Sequence, residues 1–357
     1  MSDKDLIEFV EAVSGQAHLR VEENLGGGFV RLCSAEAERR QAKHDIRFAE
    51  DIVIEMLRNA RDAGSTQVFV ATQREGNVRS LVVIDDGTGV PPELQARIFE
   101  PRVTSKLDTM ALDSWGVHGR GMALYSIKSN ALNACVVDSA PGLGTALSVV
   151  VDTESLPERR DQSTWPTMIR GEDGGLAIAK GPHNIQRAVA EFALSVGPGL
   201  DVYLGTPAQI AATLMDFGLR SLKREELLLC QDVQALPLAQ RLATTADAGE
   251  LERACAQLGL DISERTAHRI LAGQITAVRS VLRLLSQAGV PEAPRRSDLS
   301  RDSRGLKLAP DDLASFSRAL ELAFDTLAER YYLSLAGTLR ITVKGNSITV
   351  RFPIEKD

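Results

Sequence analysis

The chain has 357 residues, 44% of them hydrophobic and 25% charged, with a formal net charge of −7. That length supports two or three globular units, the balance excludes wholesale disorder, and the negative charge argues against a protein that coats nucleic acid with its whole surface. No apolar run is long enough to span a bilayer and the N-terminus carries no apolar signal core; the four scattered cysteines (Cys33, Cys135, Cys230, Cys255) lack CxxC spacing, which points away from zinc and disulfides and towards a cytoplasmic setting.

In chain order, Arg20 to Leu32 reads as a hairpin around Gly26-Gly27-Gly28. Ala35 to Asp62 is mostly helix-forming, interrupted near His44 to Ile46, and Asp62-Ala63-Gly64 closes it. Thr66 to Thr72 and Ser80 to Ile84 are β-branched strands around Gly76-Asn77. Pro91 to Phe99 predicts a short helix and Met122 to Ala131 a longer one; Ala134 to Asp138 and Ala146 to Asp152 are strands. Residues 1–153 therefore predict an α/β sandwich, with a mixed, mostly antiparallel sheet and helices on one face.

Residues 154–176 are polar and read as a linker. A small β-α-β-α unit is expected over 177–220, and a largely helical region over 221–357 that ends in a hairpin, Leu339 to Val343 with Ser347 to Phe352. The fold class expected for the whole is α+β.

Three segments carry chemistry, and a fourth joins them. Glu55, Asn59 and Asp62 fall at i, i+4 and i+7, so they share one helical face, while Val53, Met56, Leu57 and Ala60 can pack on a sheet. A solvated helix face would carry the same residue types. Val82 to Ile84 runs into Asp85-Asp86-Gly87-Thr88-Gly89: a carboxylate at a strand end can accept a bond from an exocyclic amine, and Gly87 and Gly89 let backbone approach a flat base. An ordinary turn would use the same residues. Gly116-Val117-His118-Gly119-Arg120-Gly121 precedes a helix and offers backbone N–H groups to phosphates, without the Gly-Lys-Ser/Thr ending of a P-loop. Finally, Gly142-Leu143-Gly144-Thr145 places a hydroxyl at the start of a strand.

This ordered set, over residues 35–152, resembles the GHKL (Bergerat-fold) ATPases: DNA gyrase, heat-shock chaperones, histidine kinases and MutL. Asn59 to Thr66 looks like the MutL N box and Thr104-Ser105-Lys106 like its lid; Gly116 to Gly121 is similar to the gyrase glycine loop, and Ile98-Phe99-Glu100-Pro101 to the F box of sensor histidine kinases. The resemblance implies an ATP site. Asp85 would bind the adenine amine, with Gly89 at the base and Asp62 acting through water. Asn59 would complete a Mg²⁺ shell otherwise made of phosphate oxygens and waters. Residues 100–121 would be the lid, with Lys106 near the phosphates and Gly116, Gly119 and Gly121 donating N–H groups, and Thr145 would belong to the last box.

Glu55, four positions before Asn59, is placed to polarise a water or a hydroxyl attacking the γ-phosphate. The hydrolysing members of the superfamily carry Glu there, as do anti-sigma serine kinases, whereas sensor histidine kinases typically do not. The reading is an ATPase that drives a lid and domain switch on a partner protein or DNA; the alternative is a protein kinase of the histidine or anti-sigma type. About 50 residues precede Glu55, few for a dimerising phosphoacceptor hairpin, and His44 reads as an ordinary helix histidine. The resemblance further implies ATP-dependent homodimerisation and a lysine reaching back to the γ-phosphate, for which Lys180 and Lys223 are the candidates. Residues 251–273 look like a helix-turn-helix exposing Arg265, Thr266, His268 and Arg269 to DNA, although a helical hairpin with a solvated polar face is the favoured reading. No membrane contact is expected.

Overall fold

The computed structural model describes residues 21–33, 36–105, 111–113, 116–118, 121–170, 175–223, 232–287, 310–331, 333–344 and 347–356. The chain divides into two compact units, Met1–Ala293 and Pro294–Asp357.

The first unit opens with the expected hairpin, β1 (Val21–Gly26) and β2 (Phe29–Leu32). The expected long helix is broken in two, α1 (Glu36–Asp45) and α2 (Ala49–Asp62), with the break at Ile46–Phe48. Asp51 holds the new start, its carboxylate accepting the N–H groups of Arg47 (2.8 Å) and Phe48 (2.9 Å). There follow β3 (Gln67–Glu75) and β4 (Val78–Asp85), then β5 (Val103–Thr104), β6 (Ala111–Asp113), β7 (Gly116–His118), α3 (Ala123–Asn130), β8 (Asn133–Ala140) and β9 (Gly144–Asp152). The helix expected over Pro91 to Phe99 is two single 3₁₀ turns, Pro92–Leu94 and Arg97–Phe99.

The central sheet has the order β12-β3-β4-β9-β8, where β12 is Asp201–Gly205. All pairs are antiparallel except β12 with β3. Val68 to Ala71 of β3 and Leu81 to Ile84 of β4 are unbroken apolar runs because both faces of the sheet are covered there. Val68, Val70, Leu81, Val83, Leu147 and Val149 face α2, α3 and α4 (Ile185–Val196), where Ile52, Met56, Leu57, Ile127 and Phe192 complete the core. Phe69, Ala71, Val82, Ile84 and Ala146 face the other way, against α5 (Pro207–Ser221), the 3₁₀ segment Leu238–Thr244, α6 (Ala248–Gln257) and α7 (Glu264–Leu271). The expected helical face is present, and a second helical layer lies opposite it.

Two boundaries drawn from composition differ from the structure. Residues 177–220 do not stand apart: β12 pairs in parallel with β3, from Asp201 opposite Gln67 to Gly205 opposite Ala71. Nor is 154–176 a linker. Leu156 and Met168 are buried in the first core, β10 (Thr167–Arg170) pairs with β11 (Leu176–Lys180), and Glu158 forms a bidentate pair with Arg79 (2.7 and 3.0 Å) that Arg74 joins at 2.5 Å. Glu158 is thus neutralised in place by Arg79, 79 residues away in sequence. Both Arg79 and Glu158 side chains are almost fully enclosed. Arg79→Ala, which leaves that carboxylate without its bidentate partner, is expected to lower unfolding free energy by about 3 kcal/mol, read as a fall in denaturant midpoint.

α8 (Val281–Gln287) closes the unit, with Val281 and Leu285 in the first core. The second unit contains α9 (Pro310–Tyr331) and two strand pairs: β13 (Leu333–Leu335) with β16 (Ile354–Lys356), and β14 (Arg340–Lys344) with β15 (Ser347–Arg351). Its Phe324 is buried and stacks on Phe352 at 5.1 Å between ring centroids. The expected terminal hairpin is β14–β15; its turn, Gly345-Asn346, lies outside the described residues.

Candidate functional site

A cleft of about 450 Å³ opens between α2, the lower ends of β4 and β9, and α3. Its walls include Phe29, Ile46, Ile54, Val90, Ile98, Leu124 and Leu147, enough apolar surface for an aromatic ring. Glu55, Asn59 and Asp62 line it from α2, as their spacing predicted, together with Asp85, Gly89, Gly121 and Thr145.

Sheet register assembles the deepest part. Asp85 is the last residue of β4 and pairs directly with Thr145 of β9, which pairs in turn with Ser139 of β8. Three polar side chains thus stand in one row at the sheet's end. Asp85 is only 4% exposed. Ser65 Oγ donates to its Oδ1 at 3.0 Å and the Gly87 N–H at 2.8 Å, and Oδ2 has no protein donor among the described residues. Burial pushes the Asp85 carboxyl up to about 6, against the opposing pull of those two bonds. The neighbouring Asp86 does something different: it accepts from Thr66 N (2.7 Å), Thr66 Oγ1 (2.6 Å) and Gln67 N (2.8 Å), fixing the entry to β3.

Thr145 Oγ1 lies 3.1 Å from Ser139 Oγ, which also accepts the Val90 N–H at 2.8 Å. Gly89 bounds the cleft with φ +71°, and a Cβ there would stand 1.9 Å from the Ala140 carbonyl oxygen. Only glycine lets the two backbones meet at that point. Gly87 does not line the cleft; it serves by holding Asp85 from behind.

On α2, the Glu55 carboxylate accepts a 2.6 Å bond from Arg58 Nη1, with the two side chains 19% and 3% exposed. Asn59 has a buried amide nitrogen with no hydrogen-bond partner among the described residues. A half-turn about the side-chain bond would exchange that amide end for its oxygen. A carboxamide at the wall of a polar cleft, flanked by Glu55 and Asp62, suits a hard, largely hydrated cation. Among the described residues no group of three or more His, Cys, Asp or Glu forms a metal cage, which a cation held chiefly by phosphates and water does not need.

The segment between Ser105 and Gly121 contains β6 and β7, paired from Ala111 opposite His118 to Asp113 opposite Gly116. Gly116, Val117 and His118 are thus strand backbone, whereas Lys106, Gly119 and Arg120 lie outside the described residues. Its two ends are stitched together: Arg102 N donates to Gly121 O at 2.8 Å. Lys180 and Lys223 do not line the cleft. Of the helix-turn-helix-like segment, Leu251, Cys255, Leu258, Leu260, Ala267 and Ile270 are packed on the second face of the sheet, while Arg265, His268 and Arg269 are exposed.

Four contributing residues were not singled out from sequence: Ser65 and Ser139, which organise the Asp85–Thr145 row; Arg58; and Arg102, a buried cleft residue with left-handed φ of 64°. Arg58 alone had a local signal, its i, i+3 spacing from Glu55.

Comparison with known proteins finds likeness over most of the residues that build this cleft. Residues 44–155 match the family described as histidine kinase-, DNA gyrase B-, and HSP90-like ATPase. DNA mismatch repair protein MutL of Thermus thermophilus is 42% identical over 83 residues, covering 23% of this chain and 15% of that protein. MutL of Staphylococcus aureus is 33% identical over 96 residues, 26% of this chain and 14% of its own length. The chain therefore spans only a small part of the curated relatives it matches. A solved structure, mycobacterial sensor histidine kinase MprB, is 21% identical, with 35% of this chain and 75% of that chain covered and a TM-score of 0.20. No helix among the described residues is long and apolar enough to cross a membrane.

Proposed function

We propose that this protein binds Mg²⁺–ATP at the cleft built largely by residues 44–155, the span that matches the ATPase family, and hydrolyses it to drive a change in the segment between Ser105 and Gly121, which a partner protein reads. The observation that carries hydrolysis is Glu55: a carboxylate on the cleft wall, one turn before Asn59 and tethered by Arg58. In this reading Asp85 accepts the adenine amine, with Thr145 and Gly89 beside the base. Asn59 would hold Mg²⁺, which, when bound, neutralises phosphate charge. Glu55 orients the attacking water and takes its proton. The N–H groups around Gly121, at the start of α3, face the phosphates, with Lys106, Gly116, Val117, His118, Gly119 and Arg120 supplied by the lid. ATP-dependent homodimerisation and a cytoplasmic setting belong to the same reading.

Incubation with γ-labelled ATP and Mg²⁺ tests it. Labelled phosphate released into solution, abolished by chelating the metal, is the expected result. Label transferred instead to this chain or to a copurifying protein would establish kinase chemistry and overturn the hydrolase reading. The exposed Arg265, His268 and Arg269 of α7, and the name of the MutL relatives, make DNA a second partner class; an electrophoretic shift with and without ATP decides it.

A further inference from the structure

We infer that Arg58 is a positioning residue for ATP turnover, acting through Glu55. This rests on the hydrolase reading above. Arg58 does not line the cleft; its guanidinium is buried beside it and meets Glu55 Oε1 at 2.6 Å. An exposed i, i+3 pair of this kind is a minor helix staple, worth a few tenths of a kcal/mol. A pair this deeply enclosed is a different object. Removing an arginine from water costs more than a helix staple returns, and an apolar side chain of similar length would serve the helix better. What the arginine adds is geometry. Glu55 has three side-chain torsions and stands at the edge of a cleft where it must hold one water in line with a phosphate. A short bond from a planar, permanently charged donor confines it to one rotamer and keeps its carboxylate aimed.

The test uses the full chain and measures steady-state phosphate release against ATP concentration, with nucleotide affinity measured separately using a fluorescent ATP analogue. R58M, which keeps the volume and removes the donor, is expected to lower kcat about thirtyfold while KM and analogue affinity stay within about threefold. R58K, which restores charge without the planar fork, should fall between, about fivefold below wild type. In the E55Q background R58M should have no further effect, because the group it positions is gone. R58M or R58K with wild-type kcat would overturn the assignment, as would a full additional loss in the double variant or an analogue affinity that falls in step with kcat. Should R58M fail to fold, R58K and E55Q/R58K carry the same comparison. Wild-type protein that releases no phosphate, or whose release ignores E55Q, overturns the hydrolase reading and the role of Arg58 with it. Release that needs Glu55 but ignores Arg58 overturns the role of Arg58 alone.

Discussion

Asp85→Asn protein should fold at least as stably as wild type and bind ATP about a hundredfold more weakly. The weaker binding follows from two bonds and the stability from burial of the charge. Ser65 Oγ and the Gly87 N–H both donate to Asp85 Oδ1. An asparagine can satisfy them only by turning its oxygen to that side, which leaves its amide nitrogen facing the cleft. A donor then opposes the adenine amine, itself a donor, and one charge-assisted bond is replaced by a repulsive contact, a change of about 3 kcal/mol in binding. Stability moves the other way. Burial raises the Asp85 carboxyl from 3.8 to about 6, so the folded state holds its proton more tightly than the unfolded chain does. Its contribution to stability is therefore present below about pH 4 and lost as pH rises through 6, a penalty of about 3 kcal/mol at neutral pH. Asparagine carries no charge and escapes it. Isothermal titration and thermal melts on the same preparation check the pair of statements; normal ATP affinity in Asp85→Asn would show that the adenine contact lies elsewhere. Wild-type protein should mimic the variant on acidification, losing ATP affinity below pH 6 with uptake of one proton.

Glu55→Gln is expected to do the opposite: bind ATP within about threefold of wild type and lose turnover by a factor of about a hundred to ten thousand. The amide keeps the volume of the side chain and can still accept from Arg58 Nη1, so the cleft wall that holds the nucleotide is preserved. It cannot take a proton from water. Single-turnover phosphate release after mixing with ATP separates the two effects. Retained turnover would remove Glu55 from the chemistry, and coupled loss of binding and turnover would assign it to holding nucleotide. The two expected results together would divide the site into a base pocket at the sheet's end and a reaction face on α2.

Much of that site was legible before any fold was known, since its signals are local. The i, i+4, i+7 spacing puts Glu55, Asn59 and Asp62 on one side of a helix whatever that helix packs against. An apolar strand running into Asp-Asp-Gly marks a strand end. What local pattern could not say is which of Asp85 and Asp86 lies in the cleft for a physical reason: the sheet register places Asp85 opposite Thr145, while Asp86 is consumed by Thr66 and Gln67. Ser65 and Ser139 carry no pattern at all and matter only because chain segments 20 and 6 residues away come to rest beside them.

The residues of the proposed nucleotide site were therefore marked out by the sequence itself, through helical periodicity, a strand-end carboxylate and glycines at close approaches. Only the tertiary structure decided the rest. It packed residues 154–170 of the polar stretch against the first core and tied them down through Glu158 and Arg79, and added β12 to the central sheet beside β3. It buried Arg58 against Glu55 and moved the Asp85 carboxyl to about 6. Each of these depends on desolvation by distant segments, and burial is a property of the folded assembly that no window of neighbouring residues contains.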